Sequence, residues 1–116
     1  HNVKGIDVML DSINSLYNCL PVGLIALKSD KEIDMIAKAT FGKFKSLIIS
    51  GSKSNGLLEG KELAKSFKSS NHIIQNSFIK GLDDLVKMSC ELNCPGVIFG
   101  SHYVAKEVFD KFGFLI

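Results

Sequence analysis

The chain has 116 residues, 46% hydrophobic and 22% charged, with a formal net charge of +2. That length suits one domain around one core, and the charge balance is too even to argue for a nucleic-acid partner. No apolar run approaches the roughly 20 residues of a membrane-spanning helix, and no signal peptide is visible.

Taken in order, Ile6, Met9, Leu10, Ile13, Tyr17 and Leu20 recur at offsets of three and four. That spacing predicts a helix with one apolar stripe, ended by Pro21. Val22 to Leu27 is an apolar run of strand length. Lys28, Ser29 and Asp30 form a loop, and Ser29 or Asp30 can cap a second helix. Its inner face is expected to hold Ile33, Ile36, Ala37, Thr40 and Phe41, with Gly42 as its stop. Ser46 to Ile49 is a second strand.

Ser50 to Gly60 reads as a loop rich in glycine and serine. It contains Gly51-Ser-Lys-Ser-Asn-Gly56, but Leu57 and Leu58 stand where a phosphate-cradling loop needs lysine and a hydroxyl residue. A short helix should turn Leu63, Ala64 and Phe67 inward. His72 to Gln75 is a third strand, with His72 a strand-end or surface residue. Asn76 or Ser77 caps a helix carrying Ile79, Leu82, Leu85, Val86, Ser89 and Leu92, broken at Asn93 to Pro95. Gly96 to Phe99 is a buried strand. Gly100 allows a sharp turn, Ser101 is placed to cap, and Val104, Val108, Phe109 and Phe112 follow at helical spacing.

The three cysteines do not make an extracellular disulfide framework. Cys90 and Cys94 lie one helical turn apart without a completing His or Cys, so they are expected to be buried thiols and not metal ligands. A reducing, cytoplasmic setting follows.

Regular alternation of helix and strand implies right-handed crossovers and a mostly parallel sheet covered on both faces, an α/β Rossmann-like three-layer domain over residues 1–116. Such a domain should begin with a strand, so a first strand is expected before His1. In open sheets of this kind ligands bind at the carboxyl ends of strands. Ser101, His102 and Tyr103 belong to that rim, where the free N–H groups of a helix start attract carboxylates and phosphates. Ser101 has a second reading there as a cap alone, and Tyr103 as a packing residue.

These residues carry a resemblance. His1-Asn2 before a long helix, Ser29-Asp30-Lys31-Glu32, Gly100-Ser101-His102-Tyr103 and Glu107-Val108 occur in the order and at spacings compatible with one family. The chain resembles the carboxy-terminal domain of folylpolyglutamate synthase and bifunctional dihydrofolate synthase, in the Mur ligase superfamily. The corresponding family motifs are Asp-Gly-Ala-His-Asn-Pro, Ala-Asp-Lys-Asp, Gly-Ser-Leu-Tyr and Gly-Glu-Val. This sequence departs from them at Val3 and His102, lacks the Asp-Gly-Ala before His1, and has Gly51 to Leu58 in place of a Pro-Asn-Pro-Arg type loop.

The resemblance implies a fragment of an ATP- and Mg2+-dependent ligase. Such an enzyme phosphorylates a carboxylate of a pteroate or folate, and the amino group of L-glutamate then attacks the acyl phosphate. The P-loop, the magnesium ligands and the folate pocket would belong to an amino-terminal domain of the same polypeptide, with no nucleic-acid or membrane partner. The resemblance assigns glutamate or ATP binding to His1, Ser101 and Tyr103, a nucleotide-proximal place to Asn2 and Asp30, and no catalytic or metal-binding residue to this chain. Two alternatives are the equivalent domain of a Mur ligase that adds amino acids to a cell-wall precursor, and a non-catalytic α/β binding module.

Overall fold

Val22–Ala26 is buried along its whole length, and the other elements are layered around it. The computed structural model describes residues 3–27, 33–51, 59–67, 71–75 and 77–100. The elements are α1 (Val3–Tyr17), β1 (Val22–Ala26), α2 (Ile33–Thr40), β2 (Ser46–Ser50), α3 (Gly60–Ala64, extended by a 3₁₀ turn, Lys65–Phe67), β3 (His72–Gln75), α4 (Phe78–Leu92) and β4 (Gly96–Gly100). The expected strands are all present; the helix expected after Gly100 lies outside the described residues.

The strands form one parallel sheet in the order β3-β2-β1-β4. Because side chains alternate along a strand, β1 feeds two cores. Ile25 and the following Leu27 join Leu47, Ile49, Val97 and Phe99 beneath Leu10 of α1, Ile36 and Ala37 of α2, and Leu63, Ala64 and Phe67. Val22, Leu24 and Ala26 join Ile48 beneath Phe78, Leu82 and Leu85 of α4. Full burial of a side chain such as Leu24 or Ile25 is worth about 1.5–3 kcal/mol, so the two clusters are the main stabilising term.

The amino ends of the strands are knitted by backbone hydrogen bonds. The Val22 N–H donates to the Pro95 carbonyl at 2.9 Å, Lys45 to Pro21 at 2.8 Å and Leu47 to Asn71 at 3.1 Å. Ser66 Oγ donates to the Asp34 carboxylate at 2.7 Å, tying the 3₁₀ turn to α2.

Several predicted apolar positions face water instead. Tyr17, the last residue of α1, is exposed, and the left-handed Asn18 (φ 51°) then takes the chain off the helix, so Leu20 leaves the buried stripe and is exposed as well. α2 stops at Thr40, whose Oγ1 donates back to the Ile36 carbonyl at 2.8 Å. Gly42 follows at φ 75°, and Phe41 is left outside the core. On α4 the buried face is Phe78, Gly81, Leu82 and Leu85, while Ile79, Val86 and Leu92 flank it and are exposed. Ser77 is the cap of this helix, accepting from the Lys80 N–H; Asn76 lies outside the described residues. Cys94 is buried as expected, but Cys90 is exposed on the outer face of α4.

Candidate functional site at the carboxyl end of the sheet

The connections from β1 through β3 run outward on the α2 and α3 face, and α4 carries the chain back across the other face to β4. Right-handed crossovers require this change of face when the direction reverses. The reversal makes the border between β1 and β4 the topological switch point, and the crevice at its carboxyl end is where such sheets take ligands. Gly100, the last residue of β4, pairs with Ala26, the last of β1. Two stretches far apart in sequence are thereby launched from adjacent strand ends: one continues past Leu27 toward Asp30, the other continues into Ser101 and Tyr103.

The predicted site residues His1, Asn2, Asp30, Ser101 and Tyr103 themselves lie outside the described residues, as do Ser29, Lys31, Glu32, His102, Glu107 and Val108. The fold supplies the paired strands β1 and β4, from whose ends the sequence continues to Asp30 and to Ser101 and Tyr103.

Further along the same edge, β2 ends in Ser50 and β3 in Gln75. The Ser50 side chain is fully buried, and its Oγ has no hydrogen-bond partner among the described residues. Gly81 of α4 lies over it. A Cβ on Gly81 would stand 2.9 Å from Leu24 Cδ1 and 3.2 Å from Ser50 Oγ, so the missing side chain lets α4 sit low on the sheet. Ser50 reads from sequence as the start of a loop; nothing in a serine after Leu-Ile-Ile marks it as the buried end of a strand. The Gln75 amide donates to the Asp84 carboxylate, fastening the end of β3 to α4. His72 stands at the opposite, amino end of β3, away from the switch point's rim.

Among the described residues no three His, Cys, Asp or Glu side chains gather as a metal site, and no helix is long and apolar enough to cross a membrane.

No protein-family model matches the sequence, and no curated protein sequence matches it. Solved structures do match by shape. A folylpolyglutamate synthase from Mycobacterium tuberculosis complexed with ADP superposes on 99% of this chain with a TM-score of 0.76 at 18% identity. A folylpolyglutamate synthase from Thermotoga maritima covers 100% of it with a TM-score of 0.73, also at 18% identity. E. coli FolC, in complex with DHPP and ADP, covers 98% of it with a TM-score of 0.69 at 13% identity. The chain spans 29%, 27% and 28% of those three proteins respectively. At these identities the likeness establishes a shared α/β fold.

Proposed function

We propose that this chain is the carboxy-terminal, substrate-closing domain of an ATP-dependent ligase that adds L-glutamate to a pteroate or folate. The observation that supports this reading most is the agreement of fold and motif. The chain has the shape of a domain of folate ligases, and its Gly-Ser-His-Tyr motif begins at the strand end bordering the switch point. The solved structures named above are folate ligases, which favours the folate reading over the cell-wall one.

In this reading ATP transfers a phosphoryl group to the substrate carboxylate, and glutamate's amino group displaces phosphate from the acyl phosphate to form an amide. ATP and Mg2+ are held mainly by an amino-terminal domain, and the metal would neutralise phosphate charge there. The task of this domain is positioning and exclusion of water, because the acyl phosphate hydrolyses if water reaches it. Ser101 Oγ and neighbouring helix N–H groups hold a glutamate carboxylate, Tyr103 donates a hydrogen bond or walls the pocket, and His1 contacts the acceptor carboxylate or the ATP phosphates. Asn2 and Asp30 stand nearer the nucleotide.

The test is Ser101→Ala in the complete ligase. Loss of a hydrogen bond to a charged group, about 1.5–3 kcal/mol, should lower kcat/KM for glutamate roughly tenfold or more, with a smaller change in ATP affinity. A residue that only caps a helix would instead cost about 1 kcal/mol of folding stability and leave glutamate kinetics alone. Tyr103→Phe and His1→Ala, measured alongside, separate the pocket wall from the phosphate end. The 116-residue chain by itself is expected to turn over no ATP; activity of the purified chain, free of contaminants, would contradict the assignment of the catalytic parts to another domain.

A further inference from the structure

The two helices that deliver the chain into the central strands end alike. α1 runs into Asn18 at φ 51° and then Cys19; α4 runs into Asn93 at φ 52° and then Cys94. A left-handed residue after a helix reverses the chain and directs the next residues back toward the body of the protein. A proline comes next in both, Pro95 immediately and Pro21 one residue later, and opens β4 and β1. Those strands are partners in parallel, with Val22 opposite Gly96 and the Val22 N–H on the Pro95 carbonyl.

The two cysteines therefore converge on one corner at the amino end of the sheet. Cys94 is 6% exposed, within the cluster formed by Val22, Leu24 and Leu85, and the half-buried Cys19 packs against that same cluster. Each thiol donates to a local carbonyl, Cys19 Sγ to Leu20 at 3.4 Å and Cys94 Sγ to Leu92 at 3.3 Å. The neighbouring Cys19 side chain first, and burial second, push the Cys94 thiol above its ordinary range, while Lys45 pulls the other way. Ser89 Oγ donates to the Cys94 carbonyl, which pins the turn.

We propose that Cys19 and Cys94 are a reversible dithiol–disulfide pair that clips the α1–β1 and α4–β4 turns together, with a low-molecular-weight disulfide as the oxidant. Cys19 is the more accessible thiol and attacks first. Its thiolate bonds to one sulfur of the small disulfide and expels the other as a thiolate. Cys94 then gives up its proton to solvent and attacks the Cys19 sulfur, releasing the second small thiolate. Two cysteine thiols are oxidised, and the small disulfide is reduced to two thiols. Cys90 takes no part, because it points outward from α4 while Cys94 is folded back into the cluster.

The protein is equilibrated in buffers of varied oxidised-to-reduced glutathione ratio, quenched in acid, alkylated and mapped by mass spectrometry after digestion with trypsin and a glutamate-specific protease, which cuts at Glu91 between Cys90 and Cys94. The expected product is the peptide containing Cys19 joined to the peptide containing Cys94 within one chain, reversed by reduced glutathione. Cys90→Ser should keep the cross-link, and Cys19→Ser should abolish it. Cys94→Ala, run beside Cys94→Ser because a hydroxyl is unwelcome among apolar neighbours, should leave Cys19 as a mixed disulfide with glutathione. The oxidised wild-type protein should unfold at a higher urea concentration than the reduced one, a shift absent from Cys19→Ser. Accumulation of the mixed disulfide at Cys19 in the wild type, or transfer of the cross-link to Cys90, would overturn the proposal.

Discussion

Gly23 sits in the middle of the sheet with no room for a side chain. A Cβ there would lie 2.6 Å from Phe44 Cε1 and 2.7 Å from Phe44 Cδ1, and the Phe44 ring is stacked on Phe99 with centroids 5.5 Å apart. Gly23→Ala should therefore wedge Phe44 off Phe99. Overpacking of this kind costs about 1–3 kcal/mol, read as a lower urea midpoint with an unchanged slope; an unchanged midpoint would mean that the ring moves freely. At Cys94 the raised thiol pKa has its own signature. The fold favours the protonated form, so the stability it gives is full below the ordinary thiol range and is lost as pH climbs through the raised value. Only thiolate alkylates, so at mildly alkaline pH iodoacetamide should modify Cys94 well after the exposed Cys90. Equal rates would show that the corner is open. A buried Cys94 was legible in the sequence, but the cluster it shares with Cys19 was not, because that depends on how β1 and β4 are paired.

At the scale of the element, α4 shows how a helix end is fixed by its last residue. Asn93 holds a left-handed conformation, and its N–H bonds back to the Cys90 carbonyl. An ordinary Cβ costs about 1–2 kcal/mol there, while glycine costs almost nothing and asparagine little. Asn93→Ala should lower stability by about 1 kcal/mol and Asn93→Gly should be near neutral, as judged by chemical denaturation; equal losses would point to the Asn side chain and not the backbone. β1 and β2 were legible because strands buried on both faces are unbroken apolar runs, and the turns because Asn, Gly and Pro stand where the backbone needs them. Helix faces were read less well. On α4 the apolar residues outnumber the buried positions, so Ile79 and Val86 counted as core in the sequence although packing selects Phe78, Leu82 and Leu85. On α1 and α2 the apolar pattern outran the helix at Leu20 and Phe41, which lie past the helix ends, while Tyr17 is exposed at the last position of α1. The candidate site was legible only as a location, the carboxyl end of β4, since side chains drawn to one rim from distant stretches leave no local spacing to read.

At the scale of the whole molecule, the handedness of the sheet decides where a further strand would go. α1 lies on the face shared with α2 and α3, and on that face right-handed connections run from the β4 side toward β3. A strand that feeds α1 must then lie on the β4 side of β1. β1 already has β4 as its neighbour there, so the added strand pairs along the outer edge of β4, where no pairing exists among the described residues. In the ligase proposed above this strand is the one expected before His1, and it would bring His1 to the same rim as Ser101. Including it should raise the urea midpoint, because it covers apolar surface and satisfies backbone groups at an open edge. Hydrogen exchange identifies the edge. Amides of Val97 to Phe99 should gain protection when the upstream strand is included, and those of Ile73 to Gln75 on the opposite edge should not. Protection appearing on β3 instead would refute the right-handed path and separate His1 from Ser101 by the full width of the sheet.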